Sequence, residues 1–377
     1  MPGLLPDIDP DGLLEYSVVY TDRALNHMSR RFQRGMQDVS MLLKRAYAAR
    51  SAIVVPGSGS FGMEAVARQF ATGKTVLVVR NGWFSYRWSQ IFDAGAIPSR
   101  TTVLAARRIE PGPQGAFAPA PIDEVVAAIG AGKPDLVFAP HVETSAGMML
   151  PDAYLRAVAD AVHAHGGLFV LDCVASGAMW VDMKAIGVDI LVSAPQKGWS
   201  STPCAGLVML GDEARARIDA TTSSSFSMDL KKWLAIMEAH ENGEHAYHAT
   251  LPTDGLMHLR DAMQETAALG LDEARAAQLD IGRRIRALLE ARGLPSVAAR
   301  SFEAPCVIVS YTEREDFKNT QAFVRQGLQI AAGVPLACDE GPDFKTFRIG
   351  LFGLDKLKNP ARTVQTFERA LDAALRG

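Results

Sequence analysis

The sequence predicts an α/β fold in which a mainly parallel central sheet is flanked by helices and followed by a smaller C-terminal α+β domain. Three observations carry that expectation. Short apolar runs alternate with helical stretches from Ser51 onward, most of those runs are apolar throughout, and Asp172 ends one run just as Lys197 follows the next. Unbroken apolarity marks strands covered on both faces. Strand and helix in alternation mark parallel pairing through crossovers.

The elements follow in order. The first stretch, residues 1–22, is rich in Pro, Gly and acidic residues and reads as an N-terminal arm. Arg23 to Arg50 carries Leu25, Met28, Phe32 and Met36 at three- and four-residue spacing, the pattern of one helical face. Strands are expected at Ala52–Val55, Thr75–Val79, Leu136–Ala139, Leu168–Leu171, Ile190–Val192 and Leu207–Leu210. Between two of them, Pro151 to His165 reads as a helix with Pro near its start and Gly166-Gly167 past its end. The large domain is expected over residues 23–261 and the small one over 262–377. The small domain should hold helices at Ala262–Ala268, Glu273–Arg292, Thr320–Gln329 and Pro360–Leu375 and a strand at Cys306–Tyr311.

Bulk properties remove several function classes. A formal net charge of -3 gives no footprint for nucleic acid or an anionic membrane surface. Acidic residues near the N-terminus interrupt any apolar run there, so neither a signal peptide nor a membrane span is expected. The four cysteines, Cys173, Cys204, Cys306 and Cys338, lie far apart with no CxxC pair. That spacing speaks against a zinc ribbon or disulfide scaffold and suits a reducing cytoplasm.

Asp172 and Lys197 carry the chemistry. Both fall at carboxyl ends of expected parallel strands, the edge where α/β proteins bind ligands. A strand-end Asp alone is more often a helix cap, and a loop Lys alone is usually solvated. The pair on successive strand ends is more specific. Pyridoxal phosphate needs such a pair: a buried carboxylate to keep its ring nitrogen protonated, and a lysine amine to join its aldehyde as an imine. Its phosphate needs backbone donors at a helix start. Pro56-Gly-Ser-Gly-Ser60 follows a strand and precedes a helix over Phe61–Phe70, so the amides near Ser58, Gly59 and Ser60 suit a dianion. No Gly-Lys-Ser/Thr follows, so the turn is not a Walker A loop.

In order and spacing these segments resemble the class V aminotransferase family of fold-type I pyridoxal-phosphate enzymes, in particular its alanine–glyoxylate and serine–glyoxylate group. The resemblance runs from about Ser51 to Gly353. Asn81-Gly-Trp-Phe84-Ser-Tyr-Arg87 is similar to the segment whose ring stacks on the pyridine, which implies Phe84 as the stacker, or Trp83 if the register shifts by one. His141-Val-Glu-Thr144-Ser-Ala-Gly147 is similar to the family's His-x-Glu-[Ser/Thr] stretch, which implies Thr144 near the phenolic oxygen. Asp172-Cys-Val-Ala-Ser176 and Ser193-x-x-Gln196-Lys197 resemble the ring-nitrogen and imine segments, with Gln196 on the phosphate. Tyr247-His-Ala-Thr250-Leu-Pro252 resembles a segment that reaches the neighbouring subunit's phosphate, implying a homodimer with a shared site. Phe347-Arg348-Ile-Gly-Leu-Phe-Gly353 resembles the segment whose arginine takes the substrate carboxylate.

Two departures stand out. The family often carries a Gly-Pro-Gly or Gly-Pro-Thr element near the N-terminus, where this chain has Gly12-Leu-Leu-Glu-Tyr-Ser-Val-Val-Tyr-Thr21. Ser60 stands where the glyoxylate enzymes commonly have His. The resemblance implies transfer of an amino group from a small amino acid to a 2-oxo acid such as glyoxylate or pyruvate. A lyase of the cysteine desulfurase type, with Cys338 as nucleophile, and a catalytically silent protein on the same fold are the alternatives. His141, Trp88, Trp180 and Trp233 read as packing residues, Arg87 as a surface ion pair, and Thr221 to Ser227 as a mobile loop near the entrance or a plain linker.

Overall fold

The computed structural model describes residues 13–376. Residues 1–12 of the expected arm lie outside the described residues. From Leu13 to Ser29 the chain forms neither helix nor strand. The Asn26 amide donates to Glu15 Oε2 at 2.9 Å and Ser17 Oγ at 3.1 Å, while Asn26 Oδ1 accepts the Met28 amide. Those local bonds compete with a helix. Helix α1 (Arg30–Tyr47) therefore starts later than its apolar spacing suggests, capped by Ser29 Oγ on the Phe32 amide at 3.1 Å.

After α1 come β1 (Ser51–Pro56), α2 (Gly59–Phe70), β2 (Thr75–Arg80), α3 (Trp83–Gly95), β3 (Arg100–Ala105) and α4 (Ile122–Gly132). Then follow β4 (Leu136–Pro140), α5 (Asp152–His163), β5 (Leu168–Asp172), β6 (Ile190–Ser193) and β7 (Ala205–Leu210). The strands form a seven-stranded sheet in the order β1-β7-β6-β5-β4-β2-β3. Strand β7 runs antiparallel to both neighbours, and the other pairs are parallel. Ile53, Leu77, Phe138, Val170 and Leu191 are fully or almost fully buried. Burying each contributes roughly 1.5–3 kcal/mol relative to exposure. Strand β3 escaped the sequence reading because it is an edge strand: Arg100, Thr101 and Thr102 are exposed and polar.

Helices α6 (Leu230–Glu241) and α7 (Thr253–Leu269) pack on α1. The domain boundary expected at residue 262 falls inside α7. Met263 still belongs to the core of the large sheet, whereas Ala274 belongs to that of the C-terminal part. Between them Gly270, with φ of +98°, ends α7 and starts α8 (Leu271–Glu290). A three-stranded antiparallel sheet follows, with β8 (Val307–Tyr311), β9 (Ala331–Ala332) and β10 (Thr346–Gly350) in the order β8-β10-β9. Helix α9 (Pro360–Arg376) packs along α8. The helix expected over Thr320–Gln329 shrinks to Gln321–Val324, because Thr320 at its start and Gly327 after it take left-handed backbone.

Candidate active site

The carboxyl ends of β1, β2, β4, β5 and β6 converge at one edge of the sheet, and one cleft opens there. Ser58, Gly59, Ser60, Phe84, Thr144, Asp172, Gln196 and Lys197 line it together, with Arg87, Val142 and Val174 among their neighbours. These are eight of the eleven residues read from the sequence, drawn from five loops.

Lys197 follows β6 on a turn closed by the Ser200 amide on the Lys197 carbonyl at 3.1 Å. The next residue must be glycine. A Cβ at Gly198 would stand 2.3 Å from the Gly177 carbonyl oxygen. Burial is the largest effect on the Lys197 amine and pulls its pKa below the ordinary lysine range, and the nearby Arg348 cation adds to it. A lysine held in that way is a neutral amine more of the time, which is the form that attacks carbonyls.

Asp172 ends β5 and is buried. Its Oδ1 accepts the Val174 amide at 2.9 Å, and its carbonyl accepts the His141 amide at 2.8 Å. Burial raises its pKa to about 6, Glu143 pushes the same way, and the Val174 amide, Arg87 and Lys197 oppose them. A cation brought against this carboxylate would lower it again.

The turn before α2 supplies donors. Helix geometry leaves its first amides without intrahelical carbonyls, and Ser58 makes no side-chain cap bond. A Cβ at Gly59 would lie 2.9 Å from Val174 Cγ2, so only glycine lets the turn sit this low over the cleft. The buried Gln196 Oε1 has no partner among the described residues. Open amides, an orphaned amide group, a carboxylate and an amine around one cleft fit pyridoxal phosphate, and fit no metal; among the described residues no metal-holding cluster occurs.

Arg348 sits on β10, where Nε donates to the Ala332 carbonyl at 2.8 Å. Its guanidinium carbon lies 5.6 Å from the Phe84 ring centre, which places it beside the cleft rather than in it. Tyr247 and Thr250 are not brought to the cleft within this chain. Tyr247 is 56% exposed, packs on His27, and its hydroxyl lies 3.4 Å from Thr250 Oγ1.

Several side chains differ from the sequence reading. Arg87 is no surface ion pair: it lines the cleft, donates to Ser60 Oγ at 3.0 Å, and lies 5.4 Å from the Phe84 ring centre. Its position three residues after Phe84, on the same helical face, was the available signal. Phe352, 5.3 Å from Lys197 Nζ, was also missed. The run from Thr221 to Ser227 forms neither helix nor strand, and its first residue is tied to α2. Thr221 Oγ1 accepts Gln69 Nε2 at 2.7 Å, at the far end of α2 from the cleft. His141 is buried, bonds Ser176 Oγ at 2.8 Å, and burial drives its pKa down to about 4, so it stays neutral. Trp88 and Trp233 are buried packing residues, and Trp180 packs on Trp199 at 4.6 Å. Cys338 is buried, with its thiol pushed up to about 12 by burial. A desulfurase nucleophile needs an accessible thiolate, so this cysteine does not supply one.

The sequence model of class V aminotransferases matches residues 13–340. The chain belongs to the class V aminotransferase family. This aminotransferase depends on pyridoxal phosphate and has the fold-type I architecture. It is 25% identical over 360 residues to an alanine–glyoxylate aminotransferase of Oryctolagus cuniculus, covering 92% of this chain and 86% of that protein. It is 27% identical over 323 residues to an L-aspartate–glyoxylate aminotransferase of Paracoccus denitrificans, covering 84% and 77%. Among solved structures, an alanine–glyoxylate aminotransferase from Nostoc sp. superposes with a TM-score of 0.77 at 22% identity, over 93% of this chain and 88% of that one.

Proposed function

We propose that this aminotransferase moves the amino group of a small amino acid to a 2-oxo acid such as glyoxylate or pyruvate. The observation that carries the reading is the placement of Lys197, Asp172 and the Ser58–Ser60 turn around one cleft. The names of the Oryctolagus and Paracoccus relatives support glyoxylate as an acceptor class.

In this reading Lys197 holds the cofactor covalently, Asp172 faces its ring nitrogen, and Phe84 lies on its ring. The turn at Ser58, Gly59 and Ser60, with Gln196, takes the phosphate, and Thr144 takes the phenolic oxygen. When bound, pyridoxal phosphate supplies a carbonyl for amino groups and a ring that accepts the electron pair left when a Cα–H bond breaks. Once the substrate's amino group has displaced it from the cofactor, Lys197 Nζ, whose pKa burial and Arg348 lower, would take the proton from the substrate Cα and return it. Arg348, with Nε already fixed on Ala332, offers its two terminal nitrogens to the substrate carboxylate. That contact aligns the Cα–H bond toward Lys197, a gain in orientation rather than in bond strength.

The homodimer belongs to the same proposal. Exposed Tyr247 and its neighbour Thr250 would complete the partner's phosphate site. Four buried free cysteines accord with a reducing, cytoplasmic setting. The test is a panel of amino donors, each added to the yellow enzyme with glyoxylate or pyruvate withheld. A productive donor should bleach the yellow band and release one keto acid per site. Sulfide release from cysteine without bleaching by any other donor would contradict the reading.

A further inference from the structure

Helix α3 has no acidic residue in its first turn, and its N-cap, Gly82, has no side chain. A helix start of that kind leaves several amides and a positive dipole end without a partner. Here the partner comes from the segment after β4, the strand that pairs with β2. Glu143, fully buried in a short hairpin of Val142–Glu143 with Met148–Met149, turns its carboxylate onto the start of α3. Oε2 accepts the Ser85 amide at 2.8 Å and the Ser85 hydroxyl at 2.7 Å. Oε1 accepts the Phe84 amide at 3.2 Å, the Ser145 amide at 3.0 Å and the Ser145 hydroxyl at 2.7 Å. Ser145 Oγ in turn accepts the Trp83 amide at 2.9 Å.

Every amide of the first turn is thus held by one carboxylate or by a hydroxyl that the carboxylate holds. The approach is close enough to require Gly82. A Cβ there would stand 2.1 Å from Ser145 Oγ and 2.7 Å from Glu143 Cγ. We propose that Glu143 is a positioning residue of the aminotransferase: it clamps the start of α3 and so sets the height and tilt of the Phe84 ring over the cofactor cleft. The proposal rests on the reading of Phe84 as the stacking ring. Charge, and not shape alone, makes the clamp. Glutamine at this position would keep one acceptor oxygen but turn an amide NH₂ toward donors that then lack a partner.

The test uses the full chain loaded with pyridoxal phosphate, and compares Glu143→Gln, Ser145→Ala, Phe84→Leu and the Glu143→Gln/Phe84→Leu double variant. The readouts are the visible circular dichroism of the bound cofactor and its dissociation constant, with far-ultraviolet circular dichroism as a check on folding. Phe84→Leu should reduce the visible signal. Glu143→Gln should reduce it in the same direction and weaken cofactor binding about tenfold, through the displaced ring rather than a lost contact to the cofactor. Ser145→Ala should show a smaller effect of the same sign, and the double variant should match Phe84→Leu. If Glu143→Gln fails to fold, Ser145→Ala decides alone. A spectrum that Phe84→Leu changes while Glu143→Gln and Ser145→Ala leave it as in wild type overturns the clamp and spares the stacking reading. A spectrum unmoved by Phe84→Leu removes the stacking reading, and the clamp's purpose with it.

Discussion

Arg87 Nη1 donates to Ser60 Oγ at 3.0 Å, a bond that ties the helix bearing Phe84 to the turn that begins α2. Ser60 stands where relatives in the glyoxylate group commonly have His, and a cation on the neighbouring helix covers that position instead. No carboxylate among the described residues forms an ion pair with Arg87, so its charge is open to an anion in the cleft. Arg87→Met is expected to weaken pyridoxal phosphate binding about tenfold to a hundredfold, the range for a charge-assisted hydrogen bond. Equilibrium dialysis checks it. Unchanged affinity would remove Arg87 from the cofactor site.

Asp172 gives a pH dependence with a definite sign. Its pKa in the cofactor-free protein is raised to about 6, so the carboxylate is charged above that pH and neutral below it. Only the charged form holds a protonated ring nitrogen. Cofactor affinity should therefore fall as pH drops through about 6, beyond the fall that phosphate protonation alone causes. Asp172→Asn lacks this group, and the ratio of wild-type to variant affinity isolates it. A ratio that stays flat from pH 7.5 to 5 would contradict the assignment.

Arg348 is expected to act on substrate and not on cofactor. Arg348→Lys keeps a charge but loses the planar fork. The KM for the amino donor should rise about tenfold to a hundredfold while the visible spectrum of the resting enzyme stays unchanged. Steady-state kinetics over a range of donor concentrations gives the split. A changed resting spectrum with an unchanged KM would move Arg348 out of the substrate site.

Most of the site was legible because strand ends announce themselves. Asp172 ends one apolar run and Lys197 follows another, and the Gly57–Ser60 turn is a glycine-rich strand–helix junction of the kind that can cradle phosphate. Strand β3 was not legible, since its outward residues are polar and its register depends on β2. Arg87 was misread because pairing of a surface arginine is a contact between distant segments, which no local pattern encodes. The role of Glu143 was hidden for the same reason: its five donors come from two segments about 60 positions apart and meet only in the folded chain. The helix expected at Thr320–Gln329 failed on backbone grounds, because a left-handed Thr320 and Gly327 bracket a single turn.

Two buried histidines contribute to the loss of stability in acid. Burial holds both His141 and His240 near 4, while an unfolded histidine titrates near 6.5. The unfolded chain binds more protons between those values, so stability is full above about 6.5 and is lost as pH falls toward 4. Each contributes roughly 3 kcal/mol at most, from the size of the gap. His240 faces Phe32, with ring centres 5.6 Å apart, so His240→Phe keeps an aromatic contact. Denaturant unfolding at pH 7 and pH 5 should show a smaller difference in the variant than in the wild type. An equal difference would mean that this histidine titrates normally.

The most direct test of the account is covalent trapping. The enzyme loaded with pyridoxal phosphate is reduced with borohydride, digested, and its peptides are weighed. The account predicts a reduced cofactor adduct on the peptide containing Lys197, and no adduct in Lys197→Ala treated identically. An adduct on any other lysine, or a yellow Lys197→Ala protein that still labels, would contradict it.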